Sequence, residues 1–403
     1  MSNGDSCAPV MKERRRHLPV LDGVRGLAIA LVVVHHAFMA GAPALTGFDS
    51  AAFRIAGAGW CGVDLFFVLS GFLITGVLLD SRGSQNFFKN FYARRTLRIF
   101  PLYFAVLFGV FVVAPSLQIA MLGDYVADSV GDQGWFWAHL TNISIVARGG
   151  FYDYLVPNVF WSLAVEEQFY LAWPLVVWKC GERALVKLCV IGSVCALLFR
   201  AGLLSMGSPA VATFVLTPAR LDALLLGSLV ALVLRSPAAG HTLARWWRPA
   251  ALLGGAGVAL SAVTTGALDW NEPMVATLGF TGMAMLFAGG IAGLITMPRD
   301  NRLVTLLSAA PLRSLGKVSY AVYLFHGPVG SVIQRFYDPA TAGRIMGSNV
   351  PATTIYTLLM FAVSFALGHV SWRLLENPVL ALKRRFSDGP AVAPLQLAGN
   401  TGG

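Results

Sequence analysis

The feature that most constrains this chain is a series of long apolar stretches separated by short polar segments. Crossing the hydrocarbon core takes about 20 residues of helix, because a helix satisfies its own backbone hydrogen bonds without water. Charged residues make up only 12% of the sequence, about half the share of a soluble domain. The pattern predicts an all-α polytopic membrane protein, a bundle of about ten transmembrane helices. The predicted spans are residues 20–40, 60–79, 97–114, 161–178, 185–204, 216–234, 250–267, 275–296, 318–336 and 352–374.

The distribution of basic residues predicts how these spans are oriented. With the N-terminus in the cytoplasm, all but six of the 30 Lys and Arg residues fall in cytoplasmic segments or the adjoining helix ends. Both termini are therefore predicted to be cytoplasmic, and the net charge of +10 reflects basic loops rather than nucleic-acid binding. We divide the chain into a basic tail (1–19), a membrane domain (20–378) and a tail that is basic and then disordered (379–403).

The first apolar stretch carries an arginine near its start and a histidine eleven residues later, Arg25 and His36. Eleven residues make about three helical turns, so the two side chains share one face about 16 Å apart. Ionisable groups within a membrane helix are costly and are typical of functional sites. The structural alternative is an arginine that extends to the interface and a histidine bonded to a neighbouring helix. His35 lies about 100° around the helix and is expected to face elsewhere.

The ionisable residues of the predicted spans form two sets by depth. The set near the cytoplasmic surface is cationic and comprises Arg25, Arg94, Arg95, Arg98 and Lys317. The set in the outer half combines a base with acids and comprises His36, Asp64, Glu166 and Asp222. This division suits an anionic ligand that enters from the cytoplasm and reacts deeper in the membrane, because guanidinium groups bind phosphates bidentately.

The acidic residues of the outer set have two possible uses. Glu166 lies at a depth similar to that of His36 and could orient the histidine as a general base, with Asp222 as the alternative. Asp64 needs a partner if it is buried, or it marks the mouth of an outer cavity.

Other polar and aromatic residues extend this pattern. Tyr170 lies one turn after Glu166 on the fourth span. We interpret the aromatic residues of the loop 115–160 as anchors at the membrane interface, with a ligand-binding surface as the alternative. No metal site is predicted, because the five cysteines have no metal-binding spacing. One face of the ninth span, at helical spacing, carries Ser319, Tyr323 and His326.

Five short motifs occur in order along the predicted membrane region. They are Arg25-x10-His36, the segment 62–74, Arg94-Arg95 with Arg98 and Pro101, Trp161-Ser162-Leu163 with Glu166 and Tyr170, and Ser319-Tyr320 with Tyr323 and His326. Together they resemble the acyltransferase-3 family of bacterial integral membrane O-acyltransferases, whose members acylate sugars of bacterial envelopes. Many relatives also carry an extra span and a C-terminal hydrolase-like domain. We expect that domain to be absent here and, if needed, supplied by a separate protein.

The resemblance implies an acyl-CoA donor from the cytoplasm, with acetyl-CoA expected, and an acceptor hydroxyl on a cell-envelope or exported glycan or glycolipid. It implies that His36 is the essential histidine and Arg25 the essential basic residue. The protein would be a multi-pass protein of the bacterial cytoplasmic (inner) membrane, in contact with lipids and not with nucleic acid. Two alternatives remain open: an acyltransferase for a small molecule such as a macrolide, and a proton-coupled secondary transporter.

These expectations assign a role to each candidate residue. His36, oriented by the carboxylate of Glu166 or Asp222, is the expected catalytic base of a direct transfer from the thioester, which we prefer to an acyl-enzyme. The residues expected to bind acyl-CoA are Arg25, Arg94, Arg95, Arg98 and Lys317. The residues expected to bind the acceptor are Asp64, Tyr170, Ser319, Tyr323 and His326.

Overall fold

The fold is helical, as the apolar pattern predicts. The structure, a computed structural model, describes residues 18–41, 47–116, 124–153, 155–236 and 239–386. Within these ranges there is no β-strand, and Ile345 and Ser348 form an isolated bridge. The all-α fold class is confirmed. The outer parts of the two predicted tails, residues 1–17 and 387–403, lie outside the described residues.

We number the α-helices in chain order. The first nine are α1 Pro19–Met39, α2 Gly47–Gly57, α3 Cys61–Asp80, α4 Phe87–Phe108, α5 Gln133–Trp137, α6 Thr141–Ala147, α7 Leu155–Asn158, α8 Phe160–Lys179 and α9 Glu182–Ser205. The next nine are α10 Ala210–Val215, α11 Thr217–Arg235, α12 Ala239–Thr265, α13 Phe280–Thr296, α14 Arg302–Leu307, α15 Ala310–Lys317, α16 Ser319–Phe336, α17 Val350–Ser371 and α18 Asn377–Ala381. Short π-helical segments extend three of them, at Gly109–Val113, Val275–Gly279 and Trp372–Glu376, and a further, unnumbered α-helical turn, Ala114–Ser116, follows the first of these.

Seven helical segments of the described chain are long and apolar enough to cross a membrane, which confirms a multi-pass membrane protein. The other three predicted spans correspond to α8, α12 and α16, which have spanning length but are less apolar. In α8 the reason is the run of Glu166, Glu167 and Gln168, and α16 includes Ser319, Tyr323 and His326. The count of ten spans and the cytoplasmic termini remain predictions.

Close backbone contacts set the position of the central helices. On α3, a side chain at Gly71 would collide with the backbone carbonyl of Leu224 on α11. On α1, a side chain at Gly26 would collide with the carbonyl of Leu312 on α15. Glycine at such positions lets helix backbones approach closely, as is common between membrane helices. α3 therefore packs between α1 and α11, and α1 also contacts α16, which brings the two histidine-bearing helices together.

Short helices lie along the chain between α4 and α8, and side-chain contacts hold their loops together. Arg148 pairs with Asp132, with a distance of 3.1 Å between guanidinium nitrogen and carboxylate oxygen. The Tyr152 hydroxyl donates to the same carboxylate at 3.1 Å and contacts Ser144 Oγ at 2.5 Å. Burial, chiefly, raises the pKa of Tyr152 to about 12. The phenol thus stays a neutral donor that holds this loop in place.

Candidate functional site

Two cavities lie side by side in the bundle and share a wall. The inner cavity, near the Arg25 end of α1, has a volume of about 100 Å³ and is lined by residues that include Arg25, Ser70, Arg95, Arg98, Glu166, Tyr170 and Ser319. The outer cavity, near the His36 end, has a volume of about 710 Å³ and is lined by residues that include His35, His36, Trp60, Asp153, Trp161, Phe214 and Trp270. Val63 and Tyr323 line both cavities and form the wall between them.

A histidine of the outer cavity, His36 of α1, contacts a second histidine behind it, His326 of α16. Nδ1 of His36 lies 3.0 Å from Nε2 of His326. Nδ1 of His326 lies 2.6 Å from the backbone carbonyl oxygen of Tyr323. Because a carbonyl only accepts, His326 Nδ1 carries the proton, and Nε2 of a neutral ring is then the acceptor.

This chain of hydrogen bonds determines the tautomer of His36. His326 Nε2 has a lone pair, so His36 Nδ1 must be the donor to it. Nε2 of the neutral His36 ring is then unprotonated and can accept a proton from a bound hydroxyl. His36 is partly buried and lines the cavity, while His326 is fully buried behind it. This is the arrangement of a general base oriented by a second residue.

The inner cavity is positively charged around a partly buried carboxylate, that of Glu166. Three guanidinium groups line it, those of Arg25, Arg95 and Arg98. Glu166 accepts hydrogen bonds from Ser70 Oγ at 2.6 Å and from the Tyr170 hydroxyl at 3.0 Å. Three arginines against one glutamate leave an excess of positive charge, which favours an anionic ligand.

The wall between the cavities is held by hydrogen bonds. The Tyr323 hydroxyl lies 2.6 Å from Ser162 Oγ and 3.0 Å from the backbone oxygen of Val159 on the preceding turn. The Phe66 ring meets the Tyr323 ring edge to face. The sequence predicts a passage from the arginines to His36, and in the structure Tyr323 and Val63 divide that passage.

Aromatic rings form much of the outer cavity. The Phe214 ring centroid lies 4.9 Å from that of Trp161, 4.8 Å from that of Trp270 and 5.9 Å from that of Trp60. Phe151 of the loop before α7 adds a further ring at 5.5 Å from Trp270. Of the aromatic residues of the loop 115–160, Phe151 and Tyr152 line this cavity, and both interpretations of the loop remain predictions. Such rings offer apolar faces to the C–H groups of a ligand.

Many of the predicted site residues come together in these cavities. The inner cavity is lined by seven of them: Arg25, Arg95, Arg98, Glu166, Tyr170, Ser319 and Tyr323. His36 and Tyr323 line the outer cavity, and His326 contacts His36 from behind. The roles predicted for these residues remain predictions, but their clustering is consistent with one shared site.

Glu166 does not have the partner that the sequence predicts. Its carboxylate oxygens bind Ser70 and Tyr170, and it lines the inner cavity, whereas His36 binds His326. Two side chains at a similar depth in the membrane therefore need not touch, because the rotation of each helix about its axis decides which side chains meet. The predicted pairing of Glu166 with His36 is corrected to a pairing of His36 with His326.

The two aspartates are ion-paired away from the lining of both cavities. Asp64 is 1% exposed and its partner is the guanidinium of Arg220. Asp222 is 2% exposed, pairs with Arg200 at 2.8 Å and accepts from Thr281 Oγ1 at 2.8 Å. Of the two uses considered for Asp64, the structure favours the buried partner. Neither Asp64 nor Asp222 lines either of these two cavities, so the predicted orienting and acceptor-binding contacts are not observed there.

Two of the residues predicted to bind the donor, Arg94 and Lys317, have contacts outside the inner cavity. Arg94 Nε donates to the backbone oxygen of Phe386 at 2.6 Å, and Lys317 Nζ lies 4.9 Å from the centroid of the Trp372 ring. Neither residue lines the inner cavity. Their contacts anchor the C-terminal end of the described chain, and the three arginines that do line the cavity form the basic patch.

The sequence analysis missed three features of the site. His35, expected to face elsewhere, lines the same cavity as His36. Ser70 binds Glu166, although nothing in its sequence context indicates this partner. The aromatic rings of Trp60, Phe214 and Trp270 come from three separate segments. The repeated aromatic residues near predicted helix ends were the available signal, but they are equally typical of interface anchors.

Within the described residues, no cluster of three or more His, Cys, Asp or Glu could hold a metal ion.

Comparisons with known proteins identify the family to which the chain belongs. The model of an acyltransferase domain family, Acyl_transf_3, matches residues 18–369. Peptidoglycan O-acetyltransferase OatA of Listeria monocytogenes is 26% identical over 380 residues, which cover 91% of this chain and 56% of that protein. O-acetyltransferase OatA of Staphylococcus aureus is 28% identical over 400 residues, which cover 90% of this chain and 57% of that protein. The chain thus spans a little over half the length of these relatives, and no solved structure matches it.

Proposed function

Because the chain belongs to the acyltransferase-3 family, we propose that it moves an acyl group, acetyl in the first instance, from cytoplasmic acyl-CoA to a hydroxyl of a cell-envelope glycan. Family membership makes it an acyltransferase, and the O-acetyltransferase names of its relatives support this group and acceptor. The donor, the position acylated and a location in the bacterial cytoplasmic membrane are part of the proposal.

One observation carries the proposal: His36, which a second histidine contacts at Nδ1, lines an aromatic cavity that shares a wall with a basic one. The contact with His326 uses Nδ1 of His36 and leaves Nε2 as the nitrogen proposed to react, while the wall residue Tyr323 lies between the outer cavity and the arginines of the inner one. An acyl transfer between two compartments needs a base that the acceptor and the thioester can both reach.

The reaction follows from these positions as a direct transfer. His36 Nε2 takes the proton of the acceptor hydroxyl as its oxygen attacks the thioester carbonyl, forming a tetrahedral intermediate. As this intermediate collapses, the C–S bond breaks and the ester forms. The CoA thiolate leaves and takes the proton from the His36 imidazolium, which restores the neutral ring. His326 keeps His36 Nδ1 as the donor throughout, so that Nε2 remains the reactive nitrogen.

The basic patch binds the donor in this proposal. Arg25, Arg95 and Arg98 neutralise the phosphates of coenzyme A at the cytoplasmic end, since bidentate guanidinium–phosphate pairs are strong. The pantetheine arm then reaches toward His36, a distance of about three helical turns from Arg25. To arrive there it must pass Tyr323 and Val63, so the wall has to open when the donor binds.

Glu166 has a supporting role in this scheme. Its two bonds hold Ser70 and Tyr170 at the cavity surface, and its charge offsets part of the field of Arg95 and Arg25. This keeps the arginines in place when no donor is bound, because uncompensated charges inside the membrane repel one another.

The test is acetyl transfer by the purified chain from radiolabelled acetyl-CoA to a GlcNAc–MurNAc disaccharide. We expect His36→Ala to lower the rate by about 10²-fold or more, the contribution of a general base. His369→Ala is the matched control, since that histidine bonds the backbone of Phe365 on α17 and lines neither cavity. Near-normal transfer by a folded His36→Ala protein would rule out this mechanism.

The same assay separates the alternatives. A transporter would move its substrate without consuming acetyl-CoA. An acyltransferase for a cytoplasmic small molecule would acylate a macrolide added in place of the disaccharide. Acetylation of the disaccharide and not of the macrolide is the result that we expect.

A further inference from the structure

We propose that Lys383, in a short helix near the C-terminal end of the described chain, binds the 3′-phosphate of the coenzyme A donor. This inference rests on the proposed function and deepens it, because it names the part of the donor that a further residue recognises. The short helix, a 3₁₀ helix of residues Leu382–Phe386, is called the basic turn below. It lies beyond residues 18–369, the part of the chain that the family model matches.

The first support is the position of the basic turn. The turn packs against α4, which carries three arginines near its start. Arg94 Nε donates a hydrogen bond to the backbone oxygen of Phe386 at 2.6 Å, so the end of the turn touches the first of these arginines. The other two, Arg95 and Arg98, line the inner cavity. The basic turn therefore lies beside the arginine-lined end of the proposed donor site.

The second support is the direction of the Lys383 side chain. Lys383 precedes Phe386 by three residues, one turn of a 3₁₀ helix, so the two side chains lie on the same face. Both residues are half-buried, whereas Arg384 and Arg385 between them are exposed. The face that carries Lys383 is thus turned toward the protein, and the neighbouring long helix is α4.

The third support is the excess of positive charge around Lys383. The pKa of Lys383 is lowered to about 8, first by burial and then by like charges on α4. These are the charges of Arg98, Arg95 and Arg94. Glu376, on the chain before the basic turn, offsets part of this charge. Like charges held close together repel one another, so the cluster favours a ligand that carries several negative charges.

The fourth support is the order of the groups along coenzyme A. From the thiol, the pantetheine arm leads to the diphosphate and then to the ribose with its 3′-phosphate. The inner cavity, about 100 Å³ in volume, is smaller than the pockets of about 300 Å³ or more that hold whole ligands, so the nucleotide binds outside it. With Arg95 and Arg98 of the cavity lining at the diphosphate, Lys383 outside that lining meets the phosphate that follows.

An anionic lipid headgroup is the alternative ligand for basic residues near a membrane surface. A lipid would meet the exposed side chains of Arg384 and Arg385 before the half-buried one of Lys383. The orientation of Lys383 toward α4 therefore favours the donor.

The experiment measures equilibrium binding of coenzyme A and of 3′-dephospho-coenzyme A to the full chain in lipid-free detergent. We expect the wild type to bind coenzyme A about tenfold more tightly than the analogue, which lacks one charge-assisted contact. Lys383→Ala should raise the Kd of coenzyme A about tenfold and leave that of the analogue unchanged. Lys383→Arg keeps the charge and should restore most of the preference for coenzyme A.

Arg385→Ala is the matched control, since it removes a positive charge from the exposed face of the same turn. It should leave the Kd of both compounds unchanged, and thermal unfolding is measured for every variant. The inference is overturned if the wild type binds the two compounds equally, or if folded Lys383→Ala keeps the wild-type preference or weakens both compounds equally. An effect of Lys383→Ala that requires added phosphatidylglycerol would also overturn it, because Lys383 would then bind a lipid headgroup.

This binding test does not depend on the acceptor, so its failure is distinguishable from failure of the proposed function. If coenzyme A binds with the expected differences and the wild-type chain transfers no acetyl group to the disaccharide, the proposed transfer fails and the role of Lys383 stands. If the wild-type chain acetylates the disaccharide and Lys383→Ala has the same Kd for both compounds as the wild type, only the role of Lys383 is wrong.

Discussion

Both nitrogens of the His326 ring are engaged, one with the Tyr323 carbonyl and one with His36. The ring is fully buried, so the reacting groups of the substrates are out of its reach. The sequence analysis predicts acceptor binding for this residue. Its contacts favour a positioning role, in which it keeps His36 in the tautomer that can accept a proton.

Removing the acceptor atom of His326 should therefore impair the chemical step. We expect His326→Ala to lower kcat by about 10²-fold with little change in the KM of either substrate, because the ground-state contacts remain. His326→Gln should recover part of the rate, since its amide oxygen can reach the position of Nε2. The measurement is steady-state transfer with both substrates varied. An unchanged kcat for a folded His326→Ala protein contradicts the positioning role.

The arginines of the inner cavity provide a second test at this scale. We expect Arg95→Ala and Arg98→Ala each to raise the donor KM by about tenfold or more, because each removes a charge-assisted phosphate contact. The acceptor KM and the acylated position should not change. Arg302→Ala is the control, since Arg302 is exposed on α14 and lines neither cavity. A donor KM that responds equally to all three substitutions would argue against a specific phosphate site.

At the scale of helices, the packing of α3 against α11 depends on Gly71. Any side chain at Gly71 would collide with the backbone of Leu224, and the backbone cannot relieve the collision by a change of rotamer. We expect Gly71→Ala to destabilise the protein by about 1–3 kcal/mol, measured by thermal unfolding in detergent. Gly202→Ala on α9 faces open space and should be neutral or slightly stabilising. Equal stability of the two variants contradicts the close approach of α3 and α11.

The buried ion pairs join helices rather than take part in the reaction. Asp222 of α11 binds Arg200 of α9 and Thr281 of α13, so one carboxylate connects three helices. Asp222→Asn leaves a buried guanidinium without its counter-charge, which we expect to cost about 3–5 kcal/mol of stability. The activity of the remaining folded protein should stay close to that of the wild type. Loss of activity without loss of stability would restore the catalytic role predicted from the sequence.

For the whole molecule, the features that depend on a single helix are predictable from the sequence. The apolar stretches predict the helices, and the eleven-residue spacing of Arg25 and His36 predicts their separation along α1. The division into a basic end and a histidine-bearing end agrees with the two cavities. Each of these follows from helical geometry and from the cost of ionisable groups in the membrane.

The features that depend on several helices are not predictable in this way. The partner of His36 is His326 rather than Glu166, and the partner of Asp222 is Arg200. These pairings depend on how each helix is rotated about its axis, which contacts such as that of Gly71 with Leu224 determine. His35 lines the same cavity as His36 despite the angle between adjacent residues, because the cavity is wide enough to meet both rings.

The most direct test places the two substrates on opposite sides of a membrane. The purified chain is reconstituted in lipid vesicles, with the disaccharide enclosed and radiolabelled acetyl-CoA added outside, and the enclosed product is counted. We expect acetylated disaccharide inside the vesicles for the wild type and for His369→Ala, and a loss of about 10²-fold for His36→Ala. Product that forms only when both substrates share one side, or that forms equally with His36→Ala, would contradict a transfer between the two cavities through His36.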